Sequence, residues 1–152
     1  DVHAFNYIVK PVTQQKVDKI VTQLEEVINA RNDKLTFRYN RELINAYYDD
    51  IVYMESSKRI INLVTTNMEY QFYAKINDVY DELPELIFGK TRSGCIVNYR
   101  YVSRVDKNNV WCKRGVDGTE IRLDLGRGRY NDFMTDYTEY ITSERGKSRR
   151  LW

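Results

Sequence analysis

Cationic side chains at expected turns are the groups in this sequence that could do chemistry. Pairs of them stand just before one expected strand, in front of a Ser-Gly break, and between the last expected strand and the final helix. Arginine can donate two parallel hydrogen bonds to O6 and N7 of guanine, while lysine more often contacts phosphate oxygens. The candidate nucleic-acid contacts are Lys58, Arg59, Lys90, Arg92, Arg127 and Arg129. For each of them, an ordinary surface salt bridge is the alternative interpretation.

The basic charge is concentrated in one part of the chain, although the net charge is only +2. Residues 1–75 contain ten basic and ten acidic residues, and residues 76–89 contain four acidic residues and no basic one. Residues 90–129 contain ten basic and four acidic residues, an excess of six, and residues 130–152 contain four of each. Such clustering is typical of proteins that bind the phosphate backbone of nucleic acids.

The sequence lacks the groups that catalysis, metal binding or nucleotide binding would need. His3 is the only histidine, which argues against a Ser-His or Cys-His nucleophile, and no zinc-ligand spacing is present. The Gly126–Arg129 segment lacks the third glycine of a dinucleotide loop and the Gly-Lys-Ser/Thr of a P-loop. The adjacent carboxylates at Asp49–Asp50 and Asp81–Glu82 are typical of a turn and a solvated face. We therefore expect no enzyme activity, metal, cofactor or small-molecule substrate.

The cysteines and the apolar runs indicate a cellular compartment. Cys95 and Cys112 lie in strand-like runs, which predicts reduced cysteines buried in a core. The apolar runs are far shorter than the roughly 20 residues that a membrane helix needs. The chain opens at Asp1 without a basic and then apolar stretch, so no secretory signal is expected. Together these features predict a cytoplasmic protein without a membrane segment.

The first 33 residues have a pattern of their own. Ala4–Val12 is typical of a short strand stopped by Pro11, and Thr13 is a suitable N-cap for an amphipathic helix that ends near residue 32. The apolar residues at helical spacing in that helix are Val17, Ile20, Val21, Leu24, Val27 and Ile28. This strand, Lys-Pro pair and helix resemble the end of a bacterial receiver domain, with Lys10 matching that family's lysine. The resemblance implies that residues 1–33 are a receiver remnant and linker, whose apolar helix face we expect to pack on the rest of the chain or on a second chain.

From residue 34 onward the apolar residues alternate with period two, which is typical of β-strands. Strands are expected at Leu35–Tyr39, Leu43–Ala46, Ile51–Glu55, Arg59–Thr65, Met68–Lys75, Val102–Asp106, Val110–Arg114 and Thr119–Leu125. The stretch Phe88–Asn98 is also strand-like, with a break at Ser93-Gly94 after which Cys95–Val97 resumes the strand. Helices are expected at residues 76–83 and from Tyr130 onward. We therefore predict a mainly β (α+β) fold of small antiparallel sheets with short helices over residues 34–141. Residues 142–152 are basic, and we expect them to form a flexible tail.

Two segments carry a resemblance to a known family. The first is Ile-Val-Tyr-Met-Glu-Ser-Ser at residues 51–57. The second follows a hairpin and an acidic helix, and reads Phe-Gly-Lys-Thr-Arg-Ser-Gly-Cys-Ile-Val-Asn at residues 88–98. In this order they resemble the LytTR family of bacterial DNA-binding domains over residues 34–135. A receiver remnant in front of such a domain matches the architecture of bacterial response regulators in two-component systems.

The resemblance implies a structure and a function. It implies an elongated stack of small antiparallel β-sheets, with loops that enter successive major grooves of double-stranded DNA. Contacts are implied for Lys58 or Arg59, for Arg92 and Ser93, and for Arg127. The resemblance also implies that two protomers bind direct repeats in promoters. A protein-interaction or regulatory β module without DNA readout is the alternative, in which the basic turns only maintain solubility.

Three residues of the second segment depart from the family motif. Arg92 stands where the family usually has histidine, Gly94 where it has serine, and Cys95 where it has an aromatic residue. Arginine favours guanine contacts, whereas a neutral histidine can accept as well as donate hydrogen bonds, so the sequence leaves open which base is read at this position. Asn98 ends the motif, and we expect it to tie the strand end rather than to read a base.

Overall fold

The computed structural model describes residues 33–115 and 118–143 of the protein. The predicted strand at residues 4–12, the predicted amphipathic helix and residues 144–152 of the predicted tail lie outside the described residues. Within these ranges, neither helix combines the length and the apolar character that crossing a membrane requires.

Short strands make up most of the described chain. They are β1 Lys34–Tyr39, β2 Glu42–Tyr47, β3 Ile51–Ser57, β4 Ile60–Thr65, β5 Glu69–Tyr73, β6 Phe88–Arg92, β7 Cys95–Asn98, β8 Val102–Val105, β9 Asn109–Lys113 and β10 Glu120–Asp124. The helices are α1 Ile76–Glu82 and α2 Tyr130–Thr142, and single 3₁₀ turns span Tyr48–Asp50 and Tyr99–Tyr101. The strands and helices predicted from residue 34 onward are confirmed, with ends that move by one or two residues.

Three antiparallel sheets are formed by these strands. One contains β1 and β2, one has the order β5-β4-β3-β7-β6, and one has the order β10-β9-β8. Each neighbouring pair in the last two sheets is antiparallel. The predicted mainly β fold of small antiparallel sheets is therefore confirmed.

The central strands of the five-stranded sheet are buried on both faces. All four residues of β7 are buried, as are Met54 in β3 and Ile61 and Leu63 in β4. A continuous apolar run of this kind is expected for a strand that is covered on each side. One buried cluster on this sheet also includes residues of β9, β10 and α2, so the two larger sheets share a core. Its members are Val52, Cys95, Val97, Tyr99, Val110, Cys112, Leu123, Leu125 and Phe133.

Aromatic rings complete the core at its margins. Phe37 of β1 stacks on Phe72 of β5 with ring centroids 4.4 Å apart, which covers one edge of the five-stranded sheet. Tyr99 meets Phe133 and Tyr137 of α2 at 5.6 and 5.8 Å. Gly89 makes room for this contact, because a Cβ at that position would lie 2.0 Å from the Tyr99 hydroxyl oxygen. These rings extend the core from the five-stranded sheet to β1 on one side and to α2 on the other.

Asn98 ties the end of β7 to the start of β3. Its Nδ2 donates to the carbonyl oxygens of Tyr48 and Ile51 at 3.0 and 2.9 Å. Its Oδ1 accepts from the backbone N–H of Arg100 at 2.9 Å, which caps the 3₁₀ turn that follows. The side chain is fully buried. The structural role predicted for Asn98 is confirmed.

Replacing Asn98 with alanine removes three hydrogen bonds from a buried site. Since a buried polar group that loses its partner costs about 1–3 kcal/mol, we expect Asn98→Ala to lower the free energy of unfolding by at least about 2 kcal/mol. Chemical denaturation of the variant and the wild type measures this difference. Asn131→Ala, on the exposed first turn of α2, is the control and should change stability by less than about 0.5 kcal/mol. An equal effect of the two substitutions would contradict the role given to Asn98.

Candidate nucleic-acid interface

Two of the predicted turns meet at one end of the five-stranded sheet. The β3–β4 turn contains Lys58 and Arg59, and the β6–β7 turn contains Ser93 and Gly94. The backbone N–H of Ser56 donates to the carbonyl oxygen of Gly94 at 2.8 Å, so the two turns are held side by side. Lys58, Arg59 and Ser93 are all exposed. The structure therefore brings these three predicted residues together.

The segment after β10 joins the same end of the sheet. The backbone N–H of Gly126 donates to the carbonyl oxygen of Thr91 at 2.6 Å. A Cβ placed on Gly126 would lie 3.4 Å from Cβ of Arg92, so this glycine allows the segment to pass close to β6. Arg127 follows directly and is exposed, without a hydrogen bond or ion pair to any described residue. Arg127 is thus placed beside the β6–β7 turn.

A fourth segment, which sequence reasoning missed, packs against this one. The backbone N–H of Leu125 donates to the carbonyl oxygen of Asn108 in the β8–β9 turn at 2.9 Å. Oδ1 of Asp106 accepts from the backbone N–H groups of Asn108 and Asn109, both at 2.8 Å. These backbone hydrogen bonds hold the pKa of the Asp106 carboxyl below its usual value. Lys107 stands exposed at this braced turn.

The sequence did contain a signal for Lys107. An aspartate that caps its own turn, followed by lysine and asparagine, is a common turn pattern, and it lies within the most basic part of the chain. We call the surface formed by residues 57–59, 92–94, 106–108 and 126–128 the turn surface. Its segments are connected by backbone hydrogen bonds through residues 56, 91 and 125 beside them, so the backbone positions that carry its cations are fixed relative to one another.

Two residues of the turn surface have positive φ angles. Lys58 has a φ of 60°, which is unusual for a residue other than glycine. Its carbonyl oxygen accepts a hydrogen bond from Oγ of Ser56 at 3.0 Å, which stabilises the tight turn. Gly128 has a φ of 78°, the left-handed region in which glycine is favoured, and it follows Arg127 at the tip of its segment.

Arg92 differs from its neighbours on the turn surface because it has a side-chain partner. Its Nη2 lies 3.0 Å from Oε2 of Glu55, and the two side chains are 37% and 38% exposed. Its Nη1 would lie 2.9 Å from a Cβ on Gly94, so the guanidinium crosses directly over the turn. Arg92 belongs to the end of β6 rather than to the loop itself.

Lys90 and Arg129 are placed differently from the other predicted residues. Nζ of Lys90 donates to Oδ1 of Asn77 and lies 5.0 Å from the centre of the Tyr80 ring. Burial, together with the nearby charge of Arg129, lowers the pKa of the Lys90 ammonium group. The Arg129 side chain folds over Gly126, and its carbonyl oxygen accepts from the N–H of Phe133 at 2.8 Å in the first turn of α2. Both cations line a cavity of about 210 Å³ between the helices rather than the turn surface.

Part of the basic charge in residues 90–129 is neutralised locally. Arg104 lies 3.8 Å from the centre of the Trp111 ring and pairs with Glu120. Arg122 pairs with Asp124 at 3.0 Å. Arg114 donates to the Thr65 carbonyl oxygen and pairs with Glu69. Among the described residues, the cations of the turn surface other than Arg92 have no such ion pair. Fewer cations of residues 90–129 are therefore unpaired than the count of basic residues in the sequence indicates.

The two cysteines are placed as predicted, and they are not a reactive site. Both are buried, and neither forms a disulfide. Burial raises the pKa of the Cys95 thiol to about 11 and that of the Cys112 thiol to about 12. In the described ranges, no three His, Cys, Asp or Glu side chains are grouped so as to hold a metal ion.

Comparison with known proteins identifies the family of the chain. The family model for the LytTr DNA-binding domain matches residues 41–138. This chain belongs to the LytTR DNA-binding domain family. All four segments of the turn surface lie within the matched residues.

Two known proteins extend the comparison. The transcriptional regulatory protein NatR of Bacillus subtilis (strain 168) is 25% identical over 107 residues, which are 67% of this chain and 45% of NatR. The chain thus spans about half the length of that relative. The solved LytTr DNA-binding domain of a putative methyl-accepting/DNA response regulator from Bacillus cereus superposes with a TM-score of 0.54 at 11% identity. The superposition covers 70% of this chain and 96% of the Bacillus cereus domain, so the two share a fold.

These findings confirm the predicted LytTR membership and do not bear on the receiver remnant at residues 1–33. Membership places the chain in a class of DNA-binding domains rather than in an enzyme class.

The burial of the two thiols leads to a test of the core around the turn surface. A thiol reacts as the thiolate, and pKa values of about 11 and about 12 leave little thiolate at pH 8. We therefore expect native protein to react with Ellman's reagent at pH 8 at least about 100-fold more slowly than guanidinium-unfolded protein. The control is Ser93→Cys, which adds one exposed thiol at the turn surface and should react at once with one equivalent of reagent. Rapid native reaction of either wild-type cysteine would contradict the buried core described above.

Proposed function

We propose that this LytTR domain binds duplex DNA sequence-specifically, as part of a bacterial transcriptional response regulator, and that the turn surface enters the major groove. The supporting observation is that four turn segments, joined by the hydrogen bonds Ser56–Gly94, Gly126–Thr91 and Leu125–Asn108, carry exposed cations at one end of the sheets. Turns whose backbone is already held by hydrogen bonds can present cations to phosphates and base edges with little further ordering of the backbone on binding. No helix is required to enter the groove.

The turn-surface residues divide into two roles. Arg92 and Arg127 are proposed to contact bases, because a guanidinium can donate to O6 and N7 of guanine together. Lys58, Arg59 and Lys107 are proposed to contact phosphates, and Ser93 to position the duplex through its hydroxyl group. The phosphate contacts of the two lysines and Arg59 would fix the position of the domain along the duplex, so that Arg92 and Arg127 meet base edges.

Lys90 and Arg129 are proposed to act at longer range. Both are held against α1 or α2, so they contribute positive field near the turn surface rather than a direct base contact. Lys90→Ala is therefore expected to weaken binding to all sequences alike.

The assembly on DNA is proposed from the family resemblance alone. Two protomers would bind direct repeats in a promoter, and residues 1–33 would be the end of a receiver domain in a cytoplasmic response regulator. NatR is a transcriptional regulatory protein, and the Bacillus cereus domain belongs to a putative methyl-accepting/DNA response regulator, which supports a role in transcription.

Substitution of the two base-contacting arginines tests sequence-specific binding. A preferred site is first selected from random duplex DNA. Arg92→Ala or Arg127→Ala should then weaken binding to that site by about 1–3 kcal/mol, and weaken binding to unrelated DNA much less, because each removes a base contact. Fluorescence anisotropy titrations measure both affinities. A wild-type protein that selects no sequence would contradict the proposed function.

The salt dependence of binding tests the role given to Lys107. The affinity constant K falls as salt rises, and each phosphate contact that is lost reduces the magnitude of the slope of log K against log salt by about 1. Lys107→Ala should reduce this magnitude equally on specific and unrelated DNA. Lys113→Ala is the matched control, because Lys113 is an exposed lysine at the far end of β9, away from the turn surface, and should leave the slope unchanged. Binding that does not respond to salt would favour a protein-interaction module instead.

A further inference from the structure

Glu55 is the one acidic side chain that contacts a proposed base-reading residue among the residues the structure describes. We infer that Glu55 is a positioning residue, which orients the Arg92 guanidinium and so sets the base preference of the turn surface. The inference rests on the proposed function and assigns one specificity determinant within it.

The sheet register explains how these two side chains meet. Glu55 in β3 lies opposite Cys95 in β7, and Arg92 in β6 also lies opposite Cys95 from the other side. Directly opposed residues project to the same face of a sheet, so the three form a row across adjacent strands. An irregularity between Lys90 and Arg92 shifts the β6 register and aligns Arg92 with this row. The buried, small side chain of Cys95 leaves the space over which Glu55 and Arg92 bridge.

The turn itself accommodates the guanidinium. Nη1 of Arg92 is 2.9 Å from the position that a Cβ on Gly94 would occupy, and the backbone of Ser56 lies just beyond it. Glu55 holds Nη2 at 3.0 Å, and the absence of a side chain at Gly94 leaves room for Nη1. A planar guanidinium has further N–H groups and can present two of them to one base edge.

The charges of Glu55 and Arg92 favour a role for the pair in orienting the guanidinium over a role in stabilising the fold. The Glu55–Arg92 pair is more than one third exposed, so screening leaves it little to contribute to folding. A carboxylate at this surface also repels DNA phosphates and lowers affinity for every sequence. What Glu55 adds in return is a fixed guanidinium, which discriminates between bases better than a mobile one.

The inference predicts opposite changes in affinity and specificity. For Glu55→Gln, affinity for unrelated DNA should rise about twofold because a negative charge is lost. The preference for the selected base pair at the Arg92 position should fall about 3-fold to 10-fold because the guanidinium becomes mobile. Glu55→Ala should show a larger loss of preference, since it also removes the acceptor atom that the amide retains.

A double-mutant cycle separates orientation from general charge. In an Arg92→Ala background, Glu55→Gln should leave the base preference unchanged, because nothing remains to be oriented. Asp124→Asn is the matched control, since it removes an exposed carboxylate that pairs with Arg122 and not with Arg92. It should alter affinity for all sequences equally and leave the base preference intact.

The measurement is a set of anisotropy titrations against the selected site and its three single-base variants at the position that Arg92 reads. The proteins compared are the wild type, Glu55→Gln, Glu55→Ala, Asp124→Asn, Arg92→Ala and the Arg92→Ala/Glu55→Gln double mutant. If wild type discriminates and Glu55→Gln discriminates equally well, Glu55 does not position Arg92 and the inference is wrong. If Glu55→Gln loses preference in the Arg92→Ala background as well, Glu55 acts through another group. A wild type that binds all four sites alike would overturn the proposed function itself, which is a different result from either of these.

Discussion

The four buried residues of β7 are the constraint on which the rest of the structure depends. Cys95, Ile96 and Val97 pair with β3 on one side, and the strand pairs with β6 on the other. Because all four residues of β7 are buried, a slip by one residue would unpack its side chains from their neighbours and break the three Asn98 hydrogen bonds. The Ser93–Gly94 turn at its start and the Asn98 hydrogen bonds at its end are therefore fixed together. A strand of four residues thus anchors the turn surface to the core.

This constraint explains why turns can serve as a rigid binding surface. Loops are usually the mobile part of a domain, and mobile loops lose entropy when they bind. Here the backbone carbonyl groups of Gly94, Thr91 and Asn108 each accept a hydrogen bond from a neighbouring segment. The turns therefore lose their conformational entropy when the domain folds, and little further entropy would be lost from them on binding.

Much of the fold was predictable from local pattern. Period-two alternation, the turn residues between strands and the buried Ile-Val-Asn run were enough to place the strands, and the structural role of Asn98 followed from its place after an apolar strand. The cysteines were predicted to be buried because they lie in strand-like runs and have no His or Cys partner at metal-ligand spacing. These features depend on neighbours in the sequence, which is why a single sequence reveals them.

The candidate site was only partly predictable, because its arrangement depends on contacts between distant segments. The sequence identified the cations but could not separate Arg127, which stands exposed, from Lys90, which is held by Asn77 on α1. The pairing of Arg92 with Glu55 joins residues 37 positions apart and depends on an irregular register in β6. Lys107 joins the surface only through the hydrogen bond between Leu125 and Asn108.

The most direct measurement of the central claim follows backbone amide resonances of the glycines while duplex DNA is added. Gly94, Gly126 and Gly128 lie on or beside the turn surface, whereas Gly115 and Gly118 lie at the β9–β10 turn, at the other end of β9. The account predicts that the resonances of the first three shift or broaden and that those of the last two do not. Shifts at Gly115 and Gly118 with none at the turn surface would contradict it.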